Sequence, residues 1–236
     1  MITLALDTCD LRGSLALVRG DEVLHSISHN TSEDYSSWVL PAVERALDSS
    51  ALKMRDVELY SVAAGPGSFT GLRIGLTSVK AWSEVYGGRV ASISRLEAIA
   101  SQAVGGEPFV AAFVDAQRDH IFGGAFRREA AKLQPVREEL VVSPAGFLEW
   151  VCEIAQDAKV AWISMDPEKL TVERAWRARA AKGESIEKSS YILAPILGGI
   201  GLQRAKEGRL VDALALDAQY VRRSDAEIFW KGYATR

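Results

Sequence analysis

Three groupings of residues in this chain have types and spacings that could do chemistry. The first is Gly65-Pro66-Gly67-Ser68-Phe69-Thr70-Gly71, which follows an apolar stretch over residues 57–64. A glycine-rich turn from strand to helix frees backbone N–H groups that attract anions. The spacing departs from both common phosphate-binding patterns. A Walker loop needs Lys and then Ser or Thr after its last glycine, where Leu72-Arg73 stand. Gly65, Gly67 and Gly71 are one residue too widely spaced for G-x-G-x-x-G. Phosphate contact and a purely structural turn both stay open on these residues alone. The second grouping is His25-x-x-x-His29, the spacing of a helical metal pair. The segment reads as a strand, where four residues span roughly 13 Å. Two imidazoles so placed cannot share a zinc ion whose nitrogen ligands lie about 2.0–2.1 Å away. Only His120 remains, so no histidine metal site is expected. The third grouping is Cys9 and Cys152, which lack a motif-placed base and read as small core residues rather than nucleophiles.

These groupings have to be positioned by the elements around them. Ile2–Asp7 reads as a buried strand, residues 14–18 as its partner, and Glu22–Ser28 as a third strand joined through Arg19-Gly20-Asp21. A helix over residues 32–48 follows, with Thr31-x-x-Asp34 as a loose capping-box start. Tyr35, Trp38, Val39, Ala42, Val43, Ala46 and Leu47 recur on it at helical spacing, and Pro41 predicts a kink. Ser68 is a good N-cap for a helix over Phe69–Tyr86 that stops at Gly87-Gly88. On that helix Gly71, Gly75 and Ser78 leave one face almost bare backbone, beside an apolar stripe of Leu72, Leu76, Val79 and Tyr86. Helix-interior glycine costs roughly 1 kcal/mol relative to alanine, so two on one face predict close approach by something else. Arg89–Ile93 is the next strand.

A second unit of similar order follows. Ser94-x-x-Glu97 is a capping box opening a helix to about Val104. Strands are expected over residues 109–114, 120–126 and 136–142, then a helix capped by Ser143-Pro144, then a strand over 159–164. The charged stretch 168–182 reads as a solvated helix, and 191–206 as a more apolar one ending at Gly208. Three strands, a helix and further parallel strands, occurring twice, predict an α/β protein of two ribonuclease-H-like lobes, divided into residues 1–106 and 107–236. With 236 residues, 48% of them hydrophobic, the chain can bury such a core. A net charge of −3 gives no basic footprint for nucleic acid in the bulk composition. Two distant cysteines, no signal-peptide pattern and no membrane-length apolar run predict a soluble cytoplasmic protein.

The run from Ala64 to Gly75 resembles the signature of the bacterial TsaB (YeaZ) family, in the actin/Hsp70-like (ASKHA) superfamily. Leu4-Ala5-Leu6-Asp7-Thr8, Ser94-x-Leu96-Glu97-Ala98, Val114-Asp115-Ala116 and Asp217-x-x-Tyr220-Val221-Arg222-Arg223-Ser224-Asp225 extend the likeness along the chain. Two departures stand out: Tyr35 where the family usually has His, and Trp162-Ile163-Ser164-Met165-Asp166 where it usually has Gly-Asp-Gly. The resemblance implies a non-catalytic subunit that partners TsaD, with TsaE, in forming threonylcarbamoyladenosine at position 37 of tRNA. It implies no catalytic residue, metal or cofactor, and tRNA contact only through the complex. The expected partner surface is the pair of first-lobe helices, at Tyr35, Trp38, Val39, Ala42, Phe69, Gly71, Leu72, Gly75, Leu76 and Ser78, which the isolated chain could use for a homodimer. Asp7, Thr8 and Asp115 fall where the superfamily places phosphate and Mg²⁺ contacts, and are expected to be vestigial or structural here. The rival reading is an ATP-dependent small-molecule kinase of the same superfamily, which needs both carboxylates open to one cleft and a glycine-rich adenosine loop. Leu197-Gly198-Gly199-Ile200-Gly201 is the candidate for that loop, against close-packing positions within the last helix.

Overall fold

The structure is a computed structural model and describes residues 1–29, 32–129, 132–219 and 221. Thr31 of the expected capping box, and Tyr220 and Arg222 to Asp225 of the C-terminal motif, lie outside the described residues.

Apolar residues fill β1 (Ile2–Asp7), β2 (Ser14–Arg19) and β4 (Leu59–Ala63), which are buried along almost their whole length. With β3 (Glu22–Ser28) and β5 (Arg89–Ile93) they form a five-stranded sheet in the order β3-β2-β1-β4-β5. The first three strands are antiparallel and the last two run parallel to β1. Helix α1 (Tyr35–Ser49) and helix α2 (Phe69–Tyr86) pack on one another and on this sheet. The start of α1 falls three residues later than expected: Asp34 is the N-cap in extended conformation, and its side chain makes no capping bond. The helix runs through Pro41. For α2 the expected bounds hold, with Ser68 Oγ accepting from the Gly71 N–H at 3.4 Å.

The second sheet repeats the strand order. Strands β6 (Phe109–Gln117), β7 (His120–Glu129), β8 (Lys132–Pro135), β10 (Val160–Ser164) and β11 (Ile186–Lys188) lie in the order β11-β10-β6-β7-β8, and β9 (Leu140–Val142) also pairs with β7. The single strand expected over 136–142 is thus two shorter ones on the same neighbour. Helix α4 (Pro144–Ala155) covers this sheet, capped by Ser143 with Pro144 at its first position. The stretch 168–182 is two short helices, α5 (Glu168–Thr171) and α6 (Trp176–Ala180), rather than one solvated helix. Leu170 and Trp176 anchor them in the second core, and Trp162 Nε1 donates to Glu184 at 2.7 Å just beyond.

The halves exchange a helix. Helix α3 (Arg95–Ala100), shorter than expected, follows the first sheet but packs on β6 and β7 of the second. Helix α7 (Ala194–Lys206) follows the second sheet but packs on β1, β2, β4 and β5 of the first. One apolar cluster therefore runs from Ala5 and Ala16 through Leu96 and Ile99 to Val110 and Ile163. The glycines of the candidate loop lie inside α7, on its face toward the first sheet. A Cβ on Gly198 would meet Val18 Cγ2 at 2.9 Å, and one on Gly201 would overlap Ser61 Oγ. They are close-packing positions.

Candidate functional site

Strands β1 and β6 are the central strands of their sheets, and each ends at an aspartate facing the cleft between the lobes. Asp7 is fully buried, and Asp115 lies at the end of β6, half-buried. The residues that meet Asp7 come from two places that the spacing of carboxylates does not reveal. Ser94 caps α3 through the Leu96 and Glu97 N–H groups, and this holds Arg95, 1% exposed, on the first turn. Arg95 Nε lies 3.4 Å from Asp7 Oδ2, and its Nη2 lies 2.5 Å from Asp10 Oδ2. The other Asp7 oxygen accepts from the Cys9 N–H at 2.9 Å.

The network continues across the cleft. Arg12 Nη2 bonds Asp10 Oδ2 at 3.2 Å, and its Nη1 bonds Asp166 Oδ1 at 3.0 Å on the opposite lobe. Asp166 Oδ2 accepts from the Asp115 N–H at 3.0 Å, and Lys169 Nζ closes on Asp115 Oδ2 at 3.0 Å. Asp7, Asp10, Asp166 and Asp115 are each paired with a cation of the chain itself. Burial pushes the Asp10 carboxyl up, but the Arg95 and Arg12 guanidiniums outweigh it and hold the group below the usual carboxylate range. Burial works against the Arg95 charge, and Asp7 and Asp10 more than offset it, so the guanidinium stays ionised. Burial and then the Asp7 charge push the Cys9 thiol up, which leaves it a neutral core group and no nucleophile.

Thr8 is a structural hub. Its Oγ1 donates to the Gly71 carbonyl at 2.7 Å. A Cβ on Gly71 would overlap the Thr8 carbonyl oxygen, and one on Gly75 would overlap Thr8 Oγ1. The bare face of α2 therefore lies against the end of β1, and the close approach announced by its glycines is internal. The other expected interface residues are largely internal too. Tyr35, Trp38, Val39, Ala42, Leu72 and Leu76 are buried in the chain's own cores. Ser78 is half-buried and Phe69 exposed, with Arg73 stacked 3.9 Å over the Phe69 ring. This corrects the expected surface: the outward positions of the helix pair are Leu40, 57% exposed, together with Pro41, Phe69, Arg73 and Thr77.

Sequence reasoning missed Asp10, Arg12, Arg95, Asp166 and Lys169 as cleft residues. One signal was legible: Arg95 stands three and four residues before Ala98 and Ile99, on the stripe that α3 buries, where a charge must find a partner. His29, set aside as a metal ligand, is instead a buried anchor. Its ring stacks on Tyr35 at 4.1 Å, and its two nitrogens contact the Leu11 and Glu33 carbonyls at 2.9 and 2.8 Å. These contacts tie the Asp10–Arg12 loop to the entrance of α1.

With this geometry in place, the likenesses to known proteins fall into order. Residues 22–184 match the model of the TsaD family, described as tRNA N6-adenosine threonylcarbamoyltransferase. The tRNA threonylcarbamoyladenosine biosynthesis protein TsaB of Bacillus subtilis (strain 168) is 27% identical over 98% of both chains. The chain belongs to this family, in its TsaB (YeaZ) branch. In fold, YeaZ from Pseudomonas aeruginosa superimposes with a TM-score of 0.72 at 22% identity, covering 93% of this chain and 99% of that one. The ROK hexokinase from Thermus thermophilus superimposes with a TM-score of 0.50 at 15% identity, over 86% of this chain and 98% of that one. Two such lobes in this TsaB/YeaZ chain make it an α/β protein of the two-lobed actin-like (ASKHA) fold. Among the described residues no helix is long and apolar enough to cross a membrane.

Proposed function

We propose that the chain is a non-catalytic subunit in the formation of threonylcarbamoyladenosine on tRNA, acting as a scaffold for a TsaD catalytic subunit, with TsaE as a further partner. One observation carries the reading. The carboxylates that would serve Mg²⁺ and a nucleotide are already paired with Arg95, Arg12 and Lys169, and Asp7 is fully buried beneath them. A cation bound at Asp7 would have to displace a buried guanidinium at the cost of leaving it unpaired. The likeness to proteins named for threonylcarbamoyladenosine biosynthesis supplies the pathway. The glycines of α7 are used in packing, which removes the adenosine loop that a small-molecule kinase would need.

The partner surface in this reading is the outward side of α1 and α2. Leu40, Pro41 and Phe69 supply exposed apolar area there, and the buried stripe behind them holds the two helices as one rigid face. TsaD occupies this face in the complex, and a second copy of the chain is its occupant when TsaD is absent. Isothermal titration with Mg-ATP separates the reading from the kinase alternative. The scaffold gives no saturable heat, whereas stoichiometric micromolar binding in the cleft would favour the kinase.

A further inference from the structure

The grouping that this reading leaves unused lies at the seam between the halves, on the first turn of α3. Ser94, Arg95 and Glu97 each reach a different element. Arg95 takes Asp7 and Asp10, as described above. Glu97 pairs with Arg204 of α7, whose guanidinium also bonds the Ser92 carbonyl. Ser94 Oγ accepts from the Leu96 and Glu97 N–H groups at 3.1 and 3.2 Å, which leaves its own proton for Glu139 Oε1. Glu139 immediately precedes β9 of the second sheet. The contact lines a cavity of about 760 Å³ with Phe126 and Leu133, so water has access to it.

Two carboxyls thus share the surroundings of one serine. Glu97 has its countercharge in Arg204. Among the described residues Glu139 pairs with no cation. The other charged groups on the cavity wall are Arg137, held by Glu153 at 3.1 Å; Arg209, held by Glu207 at 2.5 Å; and Glu138. Burial pushes the Glu139 carboxyl up to about 7; the Ser94 bond pulls against this and the Glu97 charge adds to it.

We propose that Glu139, Ser94 and Glu97 form a proton-operated joint between the two halves of the molecule: with Glu139 neutral, the approach to β9 is held on the first turn of α3, and with Glu139 ionised beside Glu97 it is released. The sign follows from linkage. The held form keeps its proton up to about pH 7, whereas the released carboxyl titrates in the ordinary range near 4.5. The opening equilibrium therefore rises about tenfold per pH unit between those two values and levels off above the higher one. The joint is tightest in acid and loosest at and above neutrality.

Hydrogen exchange at pH 5.5 and 7.5, corrected for intrinsic rates, reads this on the full chain. Protection of residues 94–101 and 136–142 in the wild type should fall by at least tenfold between the two, while Glu139→Gln keeps equal protection at both. Wild-type protection that does not change with pH overturns the proposal, as does an equal fall in Glu139→Gln. A carboxyl ¹³C titration of the wild type supplies a reading independent of the variant. One glutamate with a midpoint near 7 supports the joint, and every glutamate in the ordinary range sinks it.

Discussion

At Arg95 a guanidinium 1% exposed faces one fully buried carboxylate and a second at the cleft wall, so each partner depends on the other. Removing one member of a buried ion pair leaves an uncompensated charge and costs about 3–5 kcal/mol. Arg95→Ala should therefore lower the free energy of unfolding by that amount in a denaturant titration. Asp7→Asn in the same chain should recover part of the loss, because it deletes the stranded charge. Asp10 sets the acid limb. Its folded carboxyl titrates below the unfolded value of 3.8, so its contribution is present above that value and is lost as pH falls through the depressed one. Asp10→Asn should flatten the stability profile below about pH 4, read from thermal melts against pH, and an unchanged acid limb would count against the pairing. These residues were poorly legible in the chain. Asp7 and Asp115 could be placed at strand ends because apolar runs precede them, but their partners arrive from a loop and a helix turn far away in sequence.

Among the elements, the two glycine-bearing helices were read with different success. The bounds of α2 follow from a cap, an apolar stripe and a terminal glycine pair, all local signals. What its bare face touches is not local, and the structure supplies Thr8 at the end of β1. Gly75→Leu should accordingly overpack the interior and lower stability by about 1–3 kcal/mol in a melt, as backbone and a central strand cannot yield. Helix α7 offers an internal control. Gly199 has open space at its Cβ position, so Gly199→Ala should stabilise by about 0.5–1 kcal/mol, while Gly201→Ala, set against Ser61, should destabilise. Equal responses at the two positions would contradict the packing described. The 168–182 stretch misled for a physical reason. Its charges outnumber its apolar residues, yet Leu170 and Trp176 alone hold two short turns on the second core. The exchange of α3 and α7 between lobes leaves no trace in composition either, because both helices are apolar on the face they bury, whichever sheet receives it.

Over the whole molecule, the repeated strand order was legible because periodicity and turn residues recur in both halves, and the lobe architecture followed from it. The partner surface was not, since the most regular apolar stripes proved to be core. The account puts the contact on the outward side of α1 and α2, so Leu40→Asp with Phe69→Glu should leave the melting temperature within about 2 °C, as exposed substitutions usually do. The same pair should reduce capture of TsaD by more than tenfold. The most direct measurement is a reconstitution of tRNA modification from this chain, TsaD and TsaE, omitting each in turn. The account predicts product only when the chain and TsaD are both present, with none from the chain alone. Modification by the chain without TsaD, or undiminished modification by TsaD and TsaE without the chain, would contradict it.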